Sequence, residues 1–297
     1  MRIDAHLHFW RPSCGFDNRP IADNEAYRHD FLPSDVRPAM IASGIDAALL
    51  VQAAPQVEET AWLVDLVRDV EWIAGITGWV DLDSERVDWP SLLAAPKIVG
   101  IRAQLRRIAD AEFIRRPLVV RNIGAALDAR LGVTLLAEHR HYDHVAAVFD
   151  QLPSGPVTLN HLGMAFADVP QDDWRRAMRR FAQRPQTYLQ LSGLPFLVGA
   201  RWQEPEPQRL LDDALDIFGA QRLLFASDWP MMVRFTDYAS WVRWVEAFLQ
   251  RRGLGRDDVD AVFGRNALAA NPLITVVPAH AGTQKLPSSA AGSPLMR

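Results

Sequence analysis

Ala47-Ala48-Leu49-Leu50-Val51, followed at once by Gln52, is the run that decides how this chain folds. Five apolar residues in a row, without polar alternation, suit a strand covered on both faces, as in a parallel sheet flanked by helices. Upstream, Ser34 is placed to cap a helix running through Ala42, with Gly44 as its stop. Downstream, Trp62, Leu63, Leu66, Val67 and Val70 recur at helical spacing across 58–70. The unit is therefore helix, buried strand, helix.

The same alternation runs outward in both directions. Ile3-Asp4-Ala5-His6-Leu7-His8-Phe9-Trp10 reads as a first strand, followed by a long loop over 11–33. Further strands are expected at 72–80, 98–104, 133–137, 157–159, 187–191 and 222–226. Helices are expected at 84–94, 113–131, 143–152, 172–184, 207–218, 241–249 and 257–270. Eight strands, most followed by a helix, predict an α/β fold of the (β/α)8 TIM-barrel type. A doubly wound open sheet is the alternative, but no Gly-rich phosphate turn or Walker-type loop is present to mark its switch point. Residues 1–274 are read as one barrel domain. Residues 275–297, rich in Pro, Ser, Ala and Gly, are read as a flexible tail.

The bulk properties narrow the class of function. The chain has 297 residues, 49% hydrophobic and 23% charged, which suits a globular enzyme with a sizeable core. A net charge of -4 provides no basic excess for nucleic acid or an anionic membrane. No apolar run is long enough to span a bilayer, and no secretory leader is evident. Cys14 is the only cysteine, so no intrachain disulfide can form, and the reading is cytoplasmic. Lys97 and Lys285 are the only lysines; nearly all positive charge is arginine.

In such barrels the active site lies where the strands end. His6 and His8 sit two apart on a strand and so point the same way. Gln52 ends the second strand, Arg102 and Gln104 the fourth, Glu138 and His139 the fifth, His161 the sixth, Ser192 the seventh and Asp228 the eighth. Trp79, Asp81 and Asp83 mark the third exit. Closing the barrel brings the first strand against the eighth, so His6, His8 and Asp228 become neighbours. With His161 they could hold one zinc-like divalent ion, or polarise a substrate carbonyl without a metal while Asp228 activates water. Arg102 is a candidate substrate contact, and Trp10 and Trp229 are candidate aromatic walls of the pocket. Gln52 and Ser192 are candidate substrate contacts.

HxH on the first strand, His on the sixth and Asp on the eighth resemble the signature of the amidohydrolase superfamily. Gly75-Ile76-Thr77-Gly78-Trp79-Val80-Asp81, Gly100-Ile101-Arg102, His161-Leu162-Gly163, Leu191-Ser192-Gly193-Leu194 and Ser227-Asp228-Trp229-Pro230 are similar to its lactonase branch (amidohydrolase-related family 2). That branch includes L-fuconolactonase, L-rhamnonolactonase and 2-pyrone-4,6-dicarboxylate lactonase. The resemblance runs in order over roughly residues 2 to 272. It implies a hydrolase that opens the lactone ring of a sugar acid or related carboxylate metabolite, with Asp228 as general base. It also implies that His6, His8 and His161, with Asp228, bind a metal or, in metal-free members, that the histidines bind the substrate carbonyl, and that Arg102 holds a carboxylate or the lactone oxygen. The binuclear members bridge two metals through a carboxylated lysine on the fourth strand. Here Lys97 precedes that strand, which implies at most one ion. Zinc decarboxylases share the same four groups and are the alternative; they would want His139 as a further ligand. The expected partners are a small lactone or anionic carboxylate and a second copy of the chain in a homodimer. Substrate choice is assigned to the loop at 11–33, with Arg11, Arg19, Tyr27 and Arg28, and to the loop at 195–207, with Arg201 and Trp202.

Overall fold

A computed structural model describes residues 1–17, 24–165 and 169–275. Arg19 and the expected tail from 276 onward lie outside the described residues. The strands are β1 (Ile3–Leu7), β2 (Ala47–Val51), β3 (Ile73–Gly78), β4 (Ile98–Ala103), β5 (Gly132–Leu135), β6 (Val157–Leu159), β7 (Thr187–Leu191) and β8 (Leu223–Phe225). Each pairs in parallel with the next, in the order β1 to β8. The last seam is closed just beyond the strands. The His8 N–H donates to the Trp229 carbonyl at 2.7 Å and the Asp228 N–H to the His6 carbonyl at 2.9 Å. The result is a (β/α)8 barrel, as the apolar strands predict.

The outer layer is formed by α1 (Pro33–Ala42), α2 (Val57–Leu66), α3 (Trp89–Ala94), α4 (Pro117–Asp128), α5 (Tyr142–Phe149), α6 (Gln171–Ala182), α7 (Pro205–Phe218) and α8 (Tyr238–Arg251). All but α3 bury one stripe against the barrel; α3 packs only its half-buried Trp89 and Leu92 against the core. In α6, Trp174, Met178 and Phe181 are buried. Of the arginines between them, Arg175, Arg176 and Arg180 pair with Asp213, Asp173 and Asp150. A final stretch runs through Arg256–Asp260, one π turn at Ala261–Arg265 and a last turn at Asn266–Ala270. It is tied to the start of β8 by Asn266, whose amide donates to the Leu223 carbonyl at 2.7 Å.

Several helix boundaries differ from the sequence expectation, and prolines and caps explain them. Ser34 does not cap α1. The helix begins at Pro33, and Asp35 accepts the Leu32 N–H at 2.7 Å. The helix expected over 113–131 is broken before Pro117, leaving one 3-10 turn and then α4. The helix expected from Ser84 starts at Trp89, because Asp88 accepts the Ser91 N–H and forms its cap.

Candidate active site

The barrel mouth holds a cavity of about 430 Å³. Its lining includes His8, Trp10, Arg102, Glu138, His161 and Asp228. The β1–β8 seam carries His6 and His8 up to Asp228. The Nε2 atoms of His8, His6 and His161 lie 3.4, 3.8 and 3.8 Å from Asp228 Oδ1. His6 and His8 face each other, with their Nε2 atoms 3.0 Å apart. All four residues are buried.

Two of the four sit on unusual backbone. His161 and Asp228 both adopt left-handed conformations, with φ of 50° and 58°. Such positions cost on the order of 1–3 kcal/mol for a non-glycine residue and cluster at functional sites. The turn at His161 also needs room behind it. A Cβ on Gly193, itself at φ 77°, would stand 2.7 Å from the His161 Cβ. The glycine that follows Ser192 is therefore what lets the His161 ring reach the site.

Hydrogen bonds at the back of each ring set its direction. His8 Nδ1 donates to the Val51 carbonyl at 2.7 Å, which leaves its Nε2 without a proton in the neutral ring. His6 Nδ1 lies 2.9 Å from Gln190 Oε1, and His161 Nδ1 lies 2.9 Å from Ser192 Oγ. Burial, with repulsion from His8, Arg102 and His161, pushes the His6 imidazole well below its usual range. Burial likewise pulls His161 down to about 4, against the opposing pull of Asp228. Both rings are therefore neutral near pH 7. Burial pushes the Asp228 carboxyl up, but His161, His8 and Arg102 outweigh it and hold it below its ordinary value, so it is ionised. Arg102, lowered by burial to about 10, keeps its charge near neutral pH.

This donor set fits one divalent ion. Asp228 Oδ1 is buried and accepts no hydrogen bond among the described residues. Ligand atoms of His6, His161 and Asp228 lie within 4.8 Å of one another, with His8 Nε2 beside them. Imidazole nitrogens and a carboxylate are the ligands zinc takes. Lys97 cannot bridge a second ion, because its Nζ donates to the Val67 and Val70 carbonyls, ahead of β3.

The chain matches the amidohydrolase family over residues 3–270. The chain belongs to that family. This amidohydrolase is 34% identical to an L-fucono-1,5-lactonase of Burkholderia ambifaria over 279 residues, covering 90% of this chain and 93% of that protein. It is 32% identical to an L-fucono-1,5-lactonase of Burkholderia multivorans over 286 residues, covering 90% and 94%. Among solved structures it is similar to a crystal structure of a Burkholderia multivorans amidohydrolase with bound zinc. The TM-score is 0.82 at 30% identity, covering 92% of this chain and 99% of that one.

Not every residue expected at the amidohydrolase site faces the cavity. Gln52, Ser192 and Trp229 are buried and do not line it. Gln52 accepts from Gln104 Nε2 through its side chain and from Arg102 through its carbonyl, each at 3.0 Å. Ser192 stands behind His161. Trp229 packs against Phe9 and Phe31, where the chain crosses the seam. His139 points away: it is 44% exposed and lies 3.6 Å from Asp173, outside the four-residue cluster. Its neighbour Glu138 does line the cavity and pairs with Arg106 at 2.7 Å. From the third exit, Asp83 pairs with Arg116 instead of entering the site.

Of the described residues expected from the loops, Tyr27 lines the cavity, while Arg11, Arg201 and Trp202 do not. Tyr27 and Asn24 line the cavity from the first loop, while Arg11 pairs with Asp30. Phe196 and Leu197 line it from the loop after β7. Arg201 is instead engaged by Glu204 and Glu206, and Trp202 is buried against Trp241 and Trp244. Arg106, Arg107 and Arg234 line the mouth and were not singled out from the sequence. Gln190 was also missed, although a glutamine in the otherwise apolar end of β7 was a usable signal.

Proposed function

We propose that this protein is a lactonase: a hydrolase that opens the lactone ring of a sugar acid or related carboxylate metabolite. The observation that carries the reading is the buried Asp228 carboxylate, whose Oδ1 has no hydrogen-bond partner among the described residues and faces three imidazole Nε2 atoms at the floor of an open cavity. The L-fucono-1,5-lactonases among its relatives support the choice of substrate class.

In this reading Asp228 Oδ1 accepts a proton from the attacking water. Water and Asp228 approach the lactone carbonyl carbon from the cavity floor. The carbonyl oxygen gains negative charge as the tetrahedral intermediate forms, and the site must stabilise it. Arg102 presents its guanidinium to the cavity while two of its nitrogens are held by Asn160 and Gln52. That fixed fork suits a carboxylate or the lactone oxygens. On collapse Asp228 returns the proton to the ring oxygen as it leaves. Trp10 forms one wall, held by its Nε1 bond to the Tyr27 carbonyl at 3.1 Å. A single divalent ion on His6, His8, His161 and Asp228, zinc in our reading, would supply Lewis-acid polarisation and a more acidic water. Among the described residues no helix is long and apolar enough to cross a membrane. A cytoplasmic setting and a homodimer complete the proposal.

The zinc-decarboxylase alternative loses its fifth-strand ligand, because His139 is exposed and paired outside the site. The test is acid release from a panel of aldonolactones and lactone carboxylates, with and without chelator, against Asp228→Asn. Turnover of at least one lactone is expected, with a loss of roughly 10²- to 10⁴-fold in the variant. Carbon dioxide release from aromatic acids with no lactone turnover would overturn the reading, and so would an Asp228→Asn enzyme of undiminished rate.

A further inference from the structure

A chain of buried polar side chains crosses the barrel beneath the cavity. Arg102 Nε on β4 donates to Asn160 Oδ1 at 3.0 Å, at the exit of β6. Asn160 Nδ2 donates to Gln190 Oε1 on β7 at 2.7 Å. Gln190 Oε1 lies 2.9 Å from His6 Nδ1 on β1, and Gln190 Nε2 donates to the Ala5 carbonyl at 3.2 Å. Every member is at most 5% exposed.

The direction of this chain is forced from one end. A guanidinium has only donors. Its bond to Asn160 therefore requires the amide oxygen there, which turns the NH2 toward Gln190. Gln190 must answer with its oxygen, and its own NH2 is then held by the Ala5 carbonyl. Turning either amide over would oppose donor to donor on one side. In Gln190 it would also oppose acceptor to acceptor at Ala5. The oxygen that reaches His6 Nδ1 can only accept. Two contacts pull the other way: Asn160 Nδ2 lies 3.2 Å from that nitrogen, and the proton-free His8 Nε2 lies 3.0 Å from His6 Nε2, where it would accept a proton from the opposite tautomer. The Gln190 oxygen, at 2.9 Å, is nearer than either and has no proton to give, and it decides the proton's place.

We propose that Asn160 and Gln190 are positioning residues. They carry the donor polarity of Arg102 across the barrel and hold His6 as the Nδ1–H tautomer, so that its Nε2 faces Asp228 and His8 as a bare lone pair. The substrate-holding arginine and the first-strand histidine are thereby parts of one hydrogen-bonded unit. The inference concerns the ring's tautomer and its affinity for an ion, so it stands apart from which substrate is hydrolysed. Residues behind a metal-binding histidine commonly tune affinity roughly 10- to 100-fold.

The test uses the full chain, stripped of metal. Nitrogen-15 spectra of the histidine side chains, with His6 assigned by loss of its signal in His6→Gln, report which ring nitrogen carries the proton. Zinc affinity is measured by competition with a chelator, and folding by thermal unfolding. The wild type is expected to carry the His6 proton on Nδ1. Gln190→Glu retains an acceptor facing His6 and should keep both the tautomer and the zinc affinity. Gln190→Leu removes it and should weaken zinc by roughly 10- to 100-fold while remaining folded. Asn160→Asp replaces the donor facing Gln190 with an acceptor, which favours turning the Gln190 amide and moving the His6 proton to Nε2. A wild-type proton on Nε2 would overturn the proposal, as would a folded Gln190→Leu protein with wild-type zinc affinity. If Gln190→Leu does not fold, an Asn160→Asp protein with the wild-type tautomer overturns it. A wild type that takes no zinc would sink the single-ion reading of the site, while the tautomer still decides this inference.

Discussion

Glu59 is a carboxyl buried without a cation in contact among the described residues, and its environment makes a quantitative prediction. It lies on α2, fully buried, with Oε2 accepting the N–H groups of Ala53 at 2.9 Å and Ala54 at 2.7 Å. Oε1 has no partner among the described residues. Burial lifts this carboxyl from 4.5 to about 8, against the lowering effect of the two amides and of Arg102 and Arg107. A folded-state value above the unfolded one means that the folded protein holds the proton more tightly. The stability contribution is therefore complete below about pH 4.5 and is lost as pH rises toward 8. At about 1.4 kcal/mol per pH unit the loss reaches on the order of 5 kcal/mol. That is comparable with the whole stability of many domains, so the effect should be plain. Glu59→Gln keeps an acceptor for the two amides and removes the titration. The assay is denaturant unfolding of both proteins from pH 5 to pH 9. The variant should gain on the wild type steadily through this range, and the difference should level off above pH 8. Asp4, raised by burial to about 6, titrates equally in both and cancels in the difference. Parallel curves for the two proteins would refute the argument that burial without a contacting cation governs this group.

Other substitutions test the geometry of the site. Gly193→Ala places a methyl group at φ 77° and 2.7 Å from His161 Cβ, so unfolding free energy should fall by about 2 kcal/mol or more and turnover with it; an unchanged melting temperature would refute the close approach. Arg102→Lys cannot bond Asn160 and Gln52 and still face the cavity, so kcat/KM for lactones should fall roughly 10- to 100-fold, at about 1.5–3 kcal/mol per charged hydrogen bond. Ser192→Ala removes the partner of His161 Nδ1 and should weaken zinc binding while leaving KM for the lactone close to wild type; a large rise in KM would instead restore Ser192 to the cavity wall. His139→Ala should leave zinc affinity unchanged, because that ring is paired with Asp173 at the surface.

The fold was legible because burial on both faces leaves a mark that needs no tertiary knowledge. Runs such as Ala47–Val51 admit few other structures, and eight of them in alternation with amphipathic helices leave the barrel as the natural closure. The four groups at the centre of the site were legible for a related reason. Strand ends are fixed points of a barrel, so His6, His8, His161 and Asp228 could be placed from their positions alone. Helix starts were read less well, since Pro117 and the Asp35 and Asp88 caps compete locally with the hydrophobic period.

What the tertiary structure decided is direction. Sequence position puts Gln52, Ser192 and Trp229 at strand ends, but whether a side chain faces the cavity or the back of another ring depends on backbone torsion and packing. Ser192 turns behind His161, while Glu138 faces in and His139 faces out, one residue apart. The left-handed backbone at His161 and Asp228 is not written in either residue type; it is imposed by the turns that packing selects. The link from Arg102 through Asn160 and Gln190 to His6 spans four strands that share no local sequence. Hydrogen-bond polarity passes through contacts in space, and only closing the barrel brings those contacts together.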